Sequence, residues 1–166
     1  GKNTNGNKYI EDIIEKAGVI ITDKFVISKS NTPIIKVFNV KKAITAIGKY
    51  NRKKYIDKPL IAITGSVGKT TTKELIAQIF ETKYNILKTE GNLNNDLGVP
   101  LTLSRINEKH DIIVLELGMN HLKEIEKLSE ISGYNILKGA SSKVDKLASE
   151  IIKDKGTSFL SKIAKL

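Results

Sequence analysis

The chain has 166 residues, 40% of them hydrophobic and 28% charged, which is enough apolar material for a buried core. It has no cysteine, which excludes disulfides, thiolate metal sites and cysteine nucleophiles, and no apolar run near the ~18 residues a membrane helix needs. The formal net charge of +10 would suit a polyanion partner, but residues 60–132 carry 8 Lys/Arg against 10 Asp/Glu, so the basic excess lies elsewhere.

In chain order, residues 8–17 have helical spacing, with Ile10, Ile13, Ile14 and Ala17 on one face, and Gly18 stops the run. Val19–Thr22 and Phe25–Ile27 read as short strands, and Pro33 opens another over Ile34–Phe38. Residues 40–55 read as a helix with Ala43, Ile44 and Ile47 apolar. The basic cluster Lys49, Arg52, Lys53, Lys54 and Lys58, with Tyr50 and Tyr55 between, is either a polyanion patch or a solvated helix end. Asp57-Lys58-Pro59 is a break and a candidate domain boundary.

Beyond the break the pattern sharpens. Leu60–Ile63 is a continuous apolar run, suited to a strand buried on both faces. A glycine loop and a helix over about 70–81 follow, with Leu75, Ile76, Ile79 and Phe80 as the inward stripe. Asn85–Leu87 is a second strand, residues 91–96 a polar loop, and Leu97, Leu101 and Leu103 mark a short helix around Pro100. Asp111–Glu116 is a third strand and residues 121–131 a helix with Leu122, Ile125 and Leu128 inward. This alternation predicts an α/β fold with a mostly parallel sheet flanked by helices.

Thr64-Gly65-Ser66-Val67-Gly68-Lys69-Thr70-Thr71, between a strand and a helix, is a phosphate-binding loop. Gly65 and Gly68 permit backbone angles and close approaches that a side chain blocks. Their N–H groups and the helix N-terminus make a cradle for anions. Lys69 can reach the β and γ phosphates of a nucleotide, and Thr70 can offer its hydroxyl to Mg²⁺. The common motif has glycine five positions before Gly68; Ile63 stands there. The other reading is a strand-to-helix turn with an incidental Lys-Thr pair. Such a loop needs a carboxylate to hold magnesium at the end of a neighbouring strand. Glu116, after the apolar run 112–115, fits that place; otherwise it is a strand-end glutamate facing water.

Three ordered blocks carry a family resemblance. Thr64 to Glu74, Thr89 to Leu103 and Glu116-Leu117-Gly118-Met119-Asn120-His121 resemble successive blocks of the Mur ligases, whose phosphate loop shows the same departure in glycine spacing. The resemblance implies an ATP- and Mg²⁺-dependent amide ligase of peptidoglycan precursor synthesis. In that reaction ATP phosphorylates the carboxylate of UDP-N-acetylmuramoyl-tripeptide, and the amine of D-alanyl-D-alanine attacks the acyl phosphate. It makes Lys69 and Glu116 catalytic and Thr70 and Glu116 the magnesium holders. ATP would contact Gly65, Ser66, Val67, Gly68, Lys69, Thr70, Thr71, Asn92 and Asn95, although Asn92 and Asn95 equally suit a polar turn. His121 is a weaker site candidate that could simply cap its helix.

By the same resemblance, residues 1–58 are part of a UDP-sugar-binding-like N-terminal domain and 59–132 part of the ATP-binding central domain. Residues 133–166, with Tyr134 to Leu147, resemble the end of the C-terminal domain. The chain is then expected to be a shortened, internally deleted ligase that binds ATP at best and turns nothing over. It would be cytoplasmic and monomeric, with no nucleic-acid or membrane partner. The first competing expectation is a stand-alone P-loop nucleotide-binding module without ligase chemistry. The second is a nucleic-acid binder using the basic N-terminal segment.

Overall fold

The structure is a computed structural model that describes residues 6–118 and 124–133. His121 and the tail 134–166 lie outside the described residues. The chain divides into two compact units, Gly1–Ile44 and Thr45–Leu166.

The first unit opens with three short turns in place of one helix: a 3-10 turn Gly6–Tyr9, α1 Ile10–Ile13 and a 3-10 turn Ile14–Lys16. The change of winding separates residues expected to share a face. Ile10 and Ile14 are buried, whereas Ile13 is 47% exposed. Strand β1, Ile20–Thr22, pairs in parallel with β2, Ile34–Lys36. Ile10, Ile14 and Ile20 form the core, with Ala17, Val26 and Ile34 packed against it. The expected strand at Phe25–Ile27 does not form. Only Val26 turns inward, while Phe25 and Ile27 are 77% and 88% exposed.

Helix α2, Val40–Lys54, is capped by Asn39, whose side-chain oxygen accepts from Lys42 N–H at 2.9 Å. The division between the units falls inside this helix, whose later turns are bonded into the second unit. Gly48 lies against the backbone of Pro100, where an added Cβ would stand 2.6 Å from the Pro100 carbonyl oxygen. Asn51 donates to the carbonyls of Leu103 and Ile106. The buried Arg52 guanidinium donates to the carbonyls of Ser132, Tyr55 and Lys58.

The second unit is built on a parallel sheet of β3 (Leu60–Ile63), β5 (Ile112–Glu116) and β4 (Ile86–Lys88), in the order β3-β5-β4. Helix α3, Lys69–Glu81, follows β3; α4, Gly98–Ser104, follows β4; and α5, Glu124–Ser132, follows β5. Successive residues of a strand point to opposite faces, so the sheet sorts its side chains by parity. Leu60, Leu87, Ile113 and Leu115 join Val99, Leu103, Leu128 and Ile131 in one cluster. Ile112 and Val114 join Phe80 in the other, where Ile61, Ile63, Ile76, Ile79 and Ile86 also pack. β5 is buried throughout, as expected of a strand covered on both faces. β3, expected to be so, is not: it lies at an edge of the described sheet, and after Leu60 its residues are only half-buried. No described helix is long and apolar enough to cross a membrane.

The Gly48–Pro100 contact has no room for a methyl group. Gly48→Ala is expected to lower stability by about 1–3 kcal/mol despite alanine's better helix propensity, measured as a lower urea midpoint with unchanged m-value.

Candidate nucleotide phosphate site

The site lies at the C-terminal ends of β3 and β5, beside the start of α3. Parity explains why it forms there. Ile112 and Val114 of β5 face α3, and Glu116 is the next residue of that parity. It therefore points at the first turns of α3 and no longer at apolar side chains. The strand ends are locked together, because Ile63 pairs with Glu116 and Leu117 N–H donates to Ile63 O at 2.8 Å.

Between β3 and α3 the chain turns through residues 64–68. Gly68, at φ 77° and ψ 1°, takes the left-handed conformation directly before the helix, and Gly65 also has positive φ, 151°. Helical bonding begins with Thr72 N–H on Gly68 O at 2.9 Å, so the amides ahead of it are the orphan donors of a helix N-terminus. Ser66, Val67, Thr70 and Thr71 are exposed at this turn, Val67 at 89%. Lys69 folds its ammonium back over the loop, donating to Gly65 O at 2.8 Å. Orphan amides, the helix dipole and a lysine together favour an anion at this turn.

Glu116 is 2% exposed, and described residues meet both of its carboxylate oxygens and its N–H. Its Oε2 accepts from Thr70 Oγ1 at 2.9 Å and its Oε1 from Asn94 Nδ2 at 2.8 Å. Its N–H donates to Thr89 Oγ1 at 3.0 Å. The Lys73 ammonium stands 3.7 Å from Oε2 and donates to Thr89 O at 2.8 Å. Among the described residues no buried side-chain polar atom lacks a partner.

The structure thus brings Thr70 and Glu116 together, as the loop motif implied, and Glu116 does not face solvent. Asn95 uses its side-chain oxygen to accept from Leu97 and Gly98 N–H, closing the turn into α4, and Asn92 stands exposed on the same loop. The asparagine that reaches Glu116 is Asn94. Sequence reasoning missed it and Lys73. A signal for Lys73 existed: counting back from Phe80 by three, four and seven residues gives Ala77, Ile76 and Lys73, the inner stripe of α3. Lys73 and Ala77 are fully buried there, whereas Leu75, expected on the stripe, is only half-buried.

Magnesium fits this pair. Two neighbouring ligands of an octahedral Mg²⁺ at about 2.1 Å stand about 3.0 Å apart, and Thr70 Oγ1 and Glu116 Oε2 stand 2.9 Å apart. No group of three or more His, Cys, Asp or Glu gathers for a metal among the described residues. A cation held here would complete its shell with water and phosphate oxygens, as magnesium commonly does.

The family model of the Mur ligase middle domain matches residues 63–137. The UDP-N-acetylmuramoyl-tripeptide–D-alanyl-D-alanine ligase of Buchnera aphidicola (subspecies Baizongia pistaciae) is 38% identical over 137 residues, covering 82% of this chain and 30% of the relative. The enzyme of the same name from Escherichia coli is 53% identical over 66 residues, 40% of this chain and 15% of the relative. A crystal structure of MurF from Acinetobacter baumannii superposes with TM-score 0.71 at 33% identity, covering 81% of this chain and 29% of that one. MurF from Thermotoga maritima in complex with ADP superposes with TM-score 0.60 at 29% identity, over 80% of this chain and 30% of that one. The chain therefore spans about 30% of the length of the Buchnera relative.

Away from the loop, Lys73 also meets Glu74 Oε1 at 3.1 Å, and Lys88 meets Glu74 Oε2 at 2.7 Å and Glu81 Oε1 at 3.4 Å. The Lys88 ammonium, then that of Lys73, holds the Glu74 carboxyl below its ordinary value of 4.5. A depressed carboxyl stabilises the fold above the unfolded pKa and loses that contribution as pH falls through the folded one. Between about pH 5 and pH 3 the urea midpoint of Lys88→Met should fall less steeply than that of the parent chain, because part of this linkage is gone.

Proposed function

We infer that this chain, which through residues 63–137 belongs to the Mur ligase family, supplies the ATP-binding part of an acid–amino-acid ligase of peptidoglycan precursor synthesis. The observation that carries the reading is the 2.9 Å contact of Thr70 with the buried Glu116 beside the glycine loop. The ADP complex of the Thermotoga neighbour supports a nucleotide at such a site.

In this reading the amides of residues 65–71 and the α3 dipole hold the phosphates of ATP. Lys69 leaves its loop carbonyls and stabilises charge on the γ-phosphoryl group as it moves. Thr70 and Glu116 hold Mg²⁺, which when bound offsets phosphate charge. Asn94 fixes the carboxylate, and Asn92 and Asn95 line the loop facing nucleotide or substrate. The γ-phosphoryl passes to the tripeptide carboxylate of the UDP-N-acetylmuramoyl substrate. The amine of D-alanyl-D-alanine then attacks that carbonyl carbon, an amide bond forms, and phosphate leaves. Residues 1–58 belong to the sugar-nucleotide side, residues 59–132 to the ATP side, and the reaction is cytoplasmic.

Titration calorimetry of the purified 166-residue polypeptide should show ATP binding strengthened by Mg²⁺. Lys69→Ala should weaken it about ten- to a hundredfold, the loss of a charge-assisted contact of roughly 1.5–3 kcal/mol. Glu116→Gln should abolish the magnesium dependence. The polypeptide alone should form no tripeptide ligation product. Magnesium-independent binding untouched by Lys69→Ala would overturn the assignment, as would salt-sensitive DNA binding in its place.

A further inference from the structure

Lys73 is a lysine at an interior position. It is 1% exposed, its neighbours along the same stripe of α3 are Ile76, Ala77 and Phe80, and neither the phosphate loop nor the magnesium pair includes it. A helix closing an apolar core would take leucine or methionine there, and a buried ammonium is costly unless its partners answer it.

We propose that Lys73 is a positioning residue for Glu116, and through it for the divalent cation of the bound nucleotide. The proposal rests on the nucleotide reading given above. Its three partners come from three parts of the unit: Thr89 O after β4 at 2.8 Å, Glu74 Oε1 on α3 at 3.1 Å and Glu116 Oε2 on β5 at 3.7 Å. The first contact fixes the backbone of the residue whose hydroxyl accepts from Glu116 N–H. The third lies beyond the ~3.2 Å reach of a good N–H···O bond, so the ammonium draws Oε2 toward α3 without occupying a lone pair. That oxygen stays directed at Thr70 and open to a metal. Glu74, itself tied to Lys88 at 2.7 Å, shares the positive charge of Lys73 and limits its repulsion of an arriving cation.

The test compares two affinities of Lys73→Met, for ATP with Mg²⁺ and for ATP with a chelator. Positioning predicts a tenfold or greater loss of Mg²⁺-ATP affinity, with metal-free ATP binding within twofold of the parent chain. Mn²⁺ in place of Mg²⁺, followed by electron paramagnetic resonance, should show the same weakening of metal binding to the nucleotide complex. Lys73→Gln, which keeps an N–H donor for Thr89 O but no charge, carries the same comparison if Lys73→Met does not fold. Equal losses with and without metal, unchanged Mg²⁺-ATP binding, or failure of both variants to fold would each make Lys73 a structural residue and overturn the proposal. If the parent chain itself shows no magnesium-dependent ATP binding, it is the nucleotide reading that fails.

Discussion

A carboxylate removed from water at the end of a central strand is the constraint around which the second unit is arranged. Glu116 is 2% exposed, and an ionised group in that position is tolerated only when its oxygens meet donors or cations. Three residues from two segments answer it: Thr70 in the first turn of α3, Lys73 one turn further along the same helix, and Asn94 from the loop after β4. The arrangement of β3, α3, β4 and β5 follows from keeping those donors together. Parallel pairing brings the loop that follows β3 to the same end of the sheet as Glu116, and strand parity turns Glu116 toward α3.

The same constraint accounts for details that are otherwise unrelated. Thr89 uses its N–H on Val114 O, its hydroxyl on Glu116 N–H and its carbonyl on Lys73, so a residue just past β4 continues the sheet and supports the site at once. Gly118 donates its N–H to Asn94 O, and an added Cβ there would meet the Asn94 side chain at 2.8 Å. The segments after β4 and β5 therefore lie backbone to backbone at the mouth of the site.

Much of this was legible in the sequence because the relevant signals are local. A glycine turn between an apolar strand and a helix that opens Lys-Thr specifies its own conformation, and a glutamate ending an apolar run announces a buried strand end. What was not legible depends on pairing across the sheet. The run Leu60–Ile63 reads as a strand covered on both faces, yet it lies at an edge of the described sheet and leaves Ile61 to Ile63 half-buried. Lys73 was hidden by its residue type, since a stripe sought among apolar letters passes over a lysine that completes it. Asn92, Asn94 and Asn95 are indistinguishable by composition, and only the fold decides that Asn94 reaches Glu116 while Asn95 closes a turn. In the first unit the short segments carry too little periodicity to separate Phe25–Ile27, which forms no strand, from Ile20–Thr22, which does.

The strand order has a consequence for how the chain is made. β3 and β4 pair only with β5 among the described strands, and β5 is the last of the three to be synthesised. Joining β3 to it closes a loop of about fifty residues, a non-local step that slows folding and is taken without the help of a hairpin. Until residues 112–116 leave the ribosome, both earlier strands lack a backbone partner, and α3 has only part of the apolar surface it finally covers. Over that interval the nascent chain displays two unpaired parallel-type strands, the form of exposed backbone that chaperones bind and that associates between chains at high expression.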